Sequence, residues 1–502
     1  MIYSDETMNQ PITPFGLRHI FQTEKPLLYA LGAVALMRMI AIIATPLEFG
    51  VDEAQYWLWG QQLDFGYYSK PPLIGWFTGM MDALFGASAI AARLLTPLLH
   101  LVIALVLYDI ASRYHSLSAG RWAALLWASL PIVSLGSFVI STDTLLLVPW
   151  VFALAMFLRA KAEGNARYFF LSGLIIGIGF MAKYAALYFV LGAAILLVRS
   201  KDYHLGQSLR YLGLIIAGAI ISASPNIIWN IAHGGITFAH LGENADLGAP
   251  TYSFASAMEF LLSQSAVIGP LAFVLFCAAI LRLRRQDNYD FAAGLLFFSL
   301  PVIVIMTVQA YLKTANANWA ATAWPTACLL IGCALAQAGQ EDKSAPIIGR
   351  FWGRLALSIN YFAAAITAFS VAAGTLGPLT PQSDPLRRLR GWEALAQDVT
   401  ATADKHAITT IIADRRAEAA LLSWHLANSP YEVKVYDADG RPGSHFEMHH
   451  AITKNDKGPF LILTGADGIL PEIYRPSAIS AGESVVQISQ KRVRHKRFFI
   501  VK

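Results

Sequence analysis

Residues 50–73 read GVDEAQYWLWGQQLDFGYYSKPPL, directly after the apolar run LLYALGAVALMRMIAIIATPL at 27–47. That run is as long as a bilayer crossing. The segment beyond it carries an acidic pair, Asp52 and Glu53, ahead of apolar and aromatic residues at roughly helical spacing. The pattern predicts a short helix lying in the membrane interface, with both carboxylates held at headgroup level. Pro71 and Pro72 then stop any helix and call for an extended backbone at Lys70. A fixed cation is thereby placed near a fixed carboxylate. The competing use of Asp52 and Glu53 is to cap the interfacial helix and complement its dipole. Tyr56, Trp57, Trp59, Tyr67, Tyr68 and Trp76 are expected, for the most part, to form an aromatic belt at the interface.

Of 502 residues, 56% are hydrophobic and only 14% charged, and the mean hydropathy is +0.48. Ordinary soluble domains are excluded. Bilayer-length apolar windows centre near 27–45, 94–111, 122–139, 144–158, 168–182, 184–198, 211–229, 258–281, 291–309, 319–336 and 355–375, predicting about eleven helices. The expected fold is therefore an α-helical polytopic membrane protein over residues 1–377, followed by a soluble α/β domain over 378–502, where charged and apolar residues mix. Cys277, Cys328 and Cys333 lie in apolar runs and suggest no disulfide framework. The first span shows no cleavage site and reads as uncleaved.

Cytoplasmic loops are enriched in Lys and Arg, so charge orients the chain. Fourteen such residues, among them Arg113, Arg159, Lys161, Arg282 and Lys343, fall in one alternating set of loops; the other set holds Lys70, Arg93, Lys183 and Lys313. The N-terminus is expected in the cytoplasm, with the 50–73 stretch and, after an odd number of spans, the C-terminal domain outside. The four outer cations run against this bias, and snorkelling at the lipid interface is the plain alternative to a site. Other outer loops add Asp143, which opens a helix after SerThr and is also a natural dipole partner, and Asn226, Asn230 and His233 in SPNIIWNIAHGG. A lysine suits phosphate, and a carboxylate can act as general base toward a hydroxyl. A polyprenyl phosphate sugar has its phosphate at headgroup level, so this layout suits glycosyl transfer.

At this point the residues resemble a family. The order Asp-Glu, aromatic helix and Tyr-Tyr-Ser-Lys-Pro-Pro-Leu at 67–73 resembles the first outer loop of the GT-C membrane glycosyltransferases, in the branch of the protein O-mannosyltransferases and the bacterial lipid A aminoarabinose transferase. Ser141-Thr142-Asp143, Lys183 and Asn226-Ile-Ile-Trp-Asn230 are similar to that branch's bacterial members. The resemblance implies a polyprenyl phosphate sugar donor, an acceptor on the periplasmic face of the inner membrane, and inversion at the anomeric carbon. It implies Asp52 as catalytic base, and Lys70 and Lys183 as contacts of the donor phosphate. Ser69 stands where the aminoarabinose branch has Glu, which removes a basis for metal ligation there. The bottom-up reading adds Glu53 beside Asp52, Arg93 and Lys313 as further phosphate partners, and Tyr67, Tyr68, Asp143, Asn226, Asn230 and His233 as substrate-binding candidates. The first outer loop, about 46–93, is expected to be catalytic.

No cofactor and no metal are indicated, and no nucleic-acid partner. His445, Glu447, His449 and His450 match no standard metal spacing and read as a polar loop. The basic run KRVRHKR at 491–497 reads as a solvated strand edge, the alternative being a site for an anionic acceptor or lipid headgroups. Gly173, Gly177 and Gly179 lie in an apolar helix and read as close helix packing. The rival function is a transporter or flippase of lipid-linked sugars, but transporters place charge at the bilayer midplane, and here it gathers at one surface. A scaffold would leave Asp52 and Lys70 without a purpose. Lipid A or another envelope glycan is the expected acceptor.

Overall fold

The computed structural model describes residues 17–245, 250–285, 289–338, 349–376, 384–437, 440, 442–453, 456–489 and 491–502. Among these, seven helices are long and apolar enough to cross a membrane: Lys25–Ala44, Ala89–Tyr114, Thr142–Glu163, Leu205–Ala232, Tyr289–Leu312, Ala317–Gln337 and Arg350–Ala373. The count reaches eight if the bent pair Phe254–Ile268 and Pro270–Leu281 is one span, and so falls short of the eleven expected. The shortfall has local causes. Window 122–139 breaks at Leu130, where Pro131 starts a separate turn. Windows 168–182 and 184–198 become helices of under 18 residues on either side of Lys183. The bent pair turns by 108° at Gly269, whose φ of +93° a glycine tolerates. The Ile268 carbonyl freed there accepts a hydrogen bond from Asn360 Nδ2 at 2.9 Å.

Helices Ala166–Ala182 and Leu205–Ala232 approach closely because their facing positions lack side chains. A Cβ on Gly173 or Gly177 would strike the carbonyl oxygen of Ile215 or Ala219, and one on Gly218 that of Phe170. Close helix packing is what these glycines provide.

The expected domain boundary at 377/378, like Lys343, lies outside the described residues. From Trp392 onward a small α/β unit forms on a five-stranded sheet: β1 Thr410–Ala413, β2 Glu432–Val435, β3 Phe460–Thr464, β4 Ala478–Ser489 and β5 Arg492–Val501, in the order β2-β1-β3-β5-β4. β2, β1 and β3 run parallel, whereas β5 pairs antiparallel to both β3 and β4. The sheet buries Ile411, Leu461, Leu463 and Phe498 against helices Trp392–Lys405 and Arg416–His425. The basic run departs from a wholly solvated edge. Residues 492–496 pair with β4 alone, but Lys496 is buried against Glu418 at 2.5 Å and Asp414 at 3.3 Å, and Arg494 lies over the Trp392 ring.

This unit is bound to the membrane part through the residues just before the interfacial helix. Glu48 accepts hydrogen bonds from the N–H groups of Gly391, Trp392 and Glu393, the unsatisfied donors at the start of Trp392–Lys405, and His425 Nε2 stands 3.1 Å away. Trp424 packs on Phe49 and Trp57, with ring centroids 4.4 and 4.9 Å apart.

Candidate active site

The interfacial helix spans Val51–Gln61, and its two acidic residues part company because consecutive helical side chains point roughly 100° apart. Glu53 turns inward and is buried. It accepts from Arg93 Nε at 2.8 Å and Nη2 at 2.6 Å, from Gly50 N–H at 2.9 Å and from Ile140 N–H at 3.1 Å. Arg93 donates its remaining bonds to the carbonyls of Leu47 and Glu48. The second expected catalytic carboxylate and one expected phosphate cation are therefore spent on each other. With four donors on its two oxygens, the Glu53 carboxylate braces the helix start together with Arg93.

Asp52 faces the other way, with its side chain 63% exposed. Its Oδ1 accepts from Arg416 Nη1 at 3.0 Å, and that nitrogen also donates to Gln55 Oε1 at 2.6 Å. Arg416 opens the Arg416–His425 helix of the C-terminal unit, 364 residues along the chain. Sequence reasoning missed it. It was visible only as the second of two arginines closing a strand, with nothing to say which surface it meets.

Lys70 is half-buried between Tyr68 and the helix Leu73–Phe85, after a turn in which Tyr67 N–H donates to the Lys70 carbonyl at 3.1 Å. Among the described residues no carboxylate comes within ion-pair distance of its ammonium. Burial, with Lys183 adding to it, lowers the Lys70 pKa from the ordinary lysine range, while Asp52 and Asp143 oppose the shift. Lys183, Asp52, Asp143 and Arg416 therefore all lie within electrostatic reach of Lys70. Lys183 sits at the break between two short apolar helices and donates to Asp143 Oδ1 at 2.7 Å. Asp143 also accepts from Asn318 Nδ2 at 3.1 Å and lies in the first turn of Thr142–Glu163, which Ser141 caps, so it serves helix and site together. Lys313 follows the end of Leu300–Leu312, half-buried.

Most of the aromatics expected at the lipid interface are buried in protein. Tyr67 stacks on Trp59 at 4.6 Å and donates its hydroxyl to the Trp59 carbonyl at 2.9 Å, which leaves it a structural part of the loop. The Tyr68 ring is buried against His240. Tyr56, one helical turn after Asp52, is also buried; burial, then the charges of Asp52 and Asp143, push its pKa up, so it remains a neutral phenol beside both carboxylates. The i, i+4 spacing from Asp52 was the signal for it. Asn226 donates to the Phe65 carbonyl at 2.8 Å and accepts from the Tyr184 hydroxyl at 2.9 Å. Asn230 bonds Tyr184 and the Asn226 carbonyl, and His233 stacks on Trp229. Of these three, all expected to bind substrate, Asn226 holds the first outer loop, while the contacts of Asn230 and His233 are to Tyr184 and their own helix. Among the described residues, no group of three or more His, Cys, Asp or Glu side chains is placed to hold a metal ion. His445 packs on the rings of Trp59 and Tyr67.

The family model described as dolichyl-phosphate-mannose-protein mannosyltransferase matches residues 69–229. The lipid A galacturonosyltransferase RgtD of Rhizobium johnstonii is 32% identical over 443 residues, covering 87% of this chain and 90% of the relative. The chain belongs to the GT-C glycosyltransferases. Within them it is of the mannosyltransferase and aminoarabinose transferase type, a multi-pass membrane enzyme. The lipopolysaccharide core galacturonosyltransferase RgtB of the same organism is 26% identical over 40% of this GT-C chain and 42% of its own length. Solved structures of ArnT from Cupriavidus metallidurans, apo and bound to undecaprenyl phosphate, share the fold with TM-scores of 0.64 at 13% and 14% identity. They cover 95% and 94% of this chain, and 98% and 97% of their own. A transporter finds no support in these likenesses.

Proposed function

We propose that this enzyme transfers a uronic acid, galacturonic acid by its likeness to the Rhizobium relative, from polyprenyl phosphate to a hydroxyl of a lipid A-type acceptor. The observation that carries the reading is one site holding an exposed Asp52 carboxylate and a partly buried Lys70 ammonium without an ion-pair partner among the described residues. A desolvated lysine of this kind gains a partner when a phosphate arrives. Asp52 takes the proton of the acceptor hydroxyl as its oxygen bonds to the anomeric carbon. The bond from that carbon to the phosphate oxygen breaks on the opposite face, and its electron pair leaves with the polyprenyl phosphate. The configuration inverts, and Lys70, with Lys183 nearby, meets the charge arriving on the phosphate. Phosphate leaves without a general acid. Tyr56 and Tyr68 line the space for the sugar, and Lys313 is a reserve cation for the lipid phosphate.

The reading also places the N-terminus in the cytoplasm, and the 50–73 loop with a 378–502 domain on the periplasmic face of the inner membrane. The Lys and Arg bias of the loops supports that orientation. The bonds that Arg416 donates to Asp52 and that the Trp392 N–H donates to Glu48 support a common side for loop and domain. The deciding experiment offers purified protein in proteoliposomes polyprenyl phosphate galacturonic acid and lipid A and weighs the product. Lipid A heavier by one hexuronic acid residue supports the proposal, and unchanged lipid A with intact donor defeats it.

A further inference from the structure

We propose that Arg416, supplied by the C-terminal unit, reads the carboxylate of the sugar being transferred and so sets the preference for a uronic acid over a neutral hexose. The inference rests on the donor reading above and extends it to a residue. Arg416 uses one guanidinium nitrogen, Nη1, for both Asp52 and Gln55. Among the described residues, Nε and Nη2 meet no acceptor, and the side chain remains 45% exposed. A guanidinium is a planar fork of five N–H donors that matches a carboxylate two-to-two, so an unused edge is a ready carboxylate seat.

Position selects the ligand. The nitrogen that touches Asp52 stands beside the group proposed to activate the attacking hydroxyl, hence beside the anomeric carbon. In a hexuronic acid the carboxyl group is separated from that carbon only by the ring oxygen and C5. Lys70, Tyr56 and His240 all lie within electrostatic reach of Arg416, so its guanidinium stands among the residues proposed to meet the donor. Charge points the same way. Lys183 is matched by Asp143, and Lys70 is left for the donor phosphate; a second negative charge on the sugar needs another cation, and Arg416 has donors to spare beside Asp52. Once Asp52 accepts a proton it no longer balances the guanidinium, and a uronate on the free edge does.

The test measures kcat/KM in proteoliposomes for two donors that differ only at C6, polyprenyl phosphate galacturonic acid and polyprenyl phosphate galactose, with wild type, Arg416→Gln and Arg416→Lys. Wild type is expected to favour the acid, and Arg416→Gln to collapse the acid-to-neutral ratio on the order of 100-fold, chiefly through KM for the acid, any loss that comes through Asp52 being shared by both donors and so absent from the ratio. Arg416→Lys, which keeps the charge without the fork, should retain an intermediate ratio and guards against a Gln variant that fails to fold. If both variants lose the two donors equally, Arg416 serves Asp52 or the acceptor and the inference is overturned. The same holds if wild type prefers the acid and both variants keep that preference. A wild type that moves galactose but not galacturonic acid instead overturns the donor reading itself.

Discussion

Asp52 and Glu53 are neighbours in the chain and opposites in circumstance, and that contrast yields two separate expectations. Replacing Asp52 by Asn removes the proposed base without disturbing a buried bond, so kcat should fall roughly 100- to 10,000-fold at an unchanged melting temperature. Replacing Glu53 by Gln leaves Arg93 buried without its counter-charge, which should cost about 3–5 kcal/mol in stability by denaturant or thermal unfolding, with activity tracking the folded fraction. Lys70 adds a pH signature. Its folded pKa is lowered, chiefly by burial, so the ammonium is lost at a lower pH than an ordinary lysine of about 10.4. The kcat/KM profile should therefore fall on its alkaline limb below that value, and Lys70→Arg should move the limb upward. The acidic pair and the lysine were legible as chemistry. Which carboxylate would face solvent was not, because it depends on Arg93 and Ile140 meeting Glu53.

At the scale of elements, the loop carrying Lys70 is held by the helix Leu205–Ala232 and by the next helix, Ile236–Ala245. Asn226 bonds the Phe65 carbonyl, Thr237 Oγ1 donates to the Tyr67 carbonyl at 2.8 Å, and Gly66 lies flat on the Trp229 indole. A methyl group at Gly66 would enter that ring, so Gly66→Ala should destabilise the loop by about 1–3 kcal/mol and raise the donor KM. Adding Trp229→Leu to the same chain should recover part of both effects, and no recovery would argue against the contact. The Asn226 and Asn230 pattern looked like a substrate contact from sequence alone. An amide side chain reads the same whether it faces a sugar or a backbone carbonyl, and only the helix's approach to the loop separates the two.

At the scale of the molecule, Glu48 joins the membrane part to the C-terminal unit through a helix N-terminus and His425. Burial alone would raise its pKa, but the His425 contact and the N–H groups of Glu393 and Gly391 outweigh it, and the folded value is lowered. A carboxylate of this kind contributes stability in full above its unfolded pKa, and the contribution is lost as pH falls through the folded one. Acidification below the ordinary glutamate range should therefore loosen the unit, seen as faster proteolysis around Gly391 and a change in Trp392 and Trp424 fluorescence. Glu48→Gln should be looser at neutral pH and nearly insensitive to that acid shift. Because Arg416 arrives with this unit, the same variant should weaken transfer without touching the site.

Period and composition, which are local properties of the chain, determined by themselves that this is a helical membrane protein with an α/β end, and that an acidic pair and a lysine stand in its first loop. The α/β character of that end was likewise legible, since charged and apolar residues mix there while the preceding part is dominated by apolar runs. The tertiary structure decided how many apolar stretches reach bilayer length, since Pro131 and Gly269 interrupt runs that composition alone joins and the helices on either side of Lys183 stay under 18 residues. It also decided which charges pair and which stay open. Ion pairs such as Arg93 with Glu53 and Arg416 with Asp52 close over 40 and 364 residues, and a pairing at that range is set by how elements pack, not by any pattern within them.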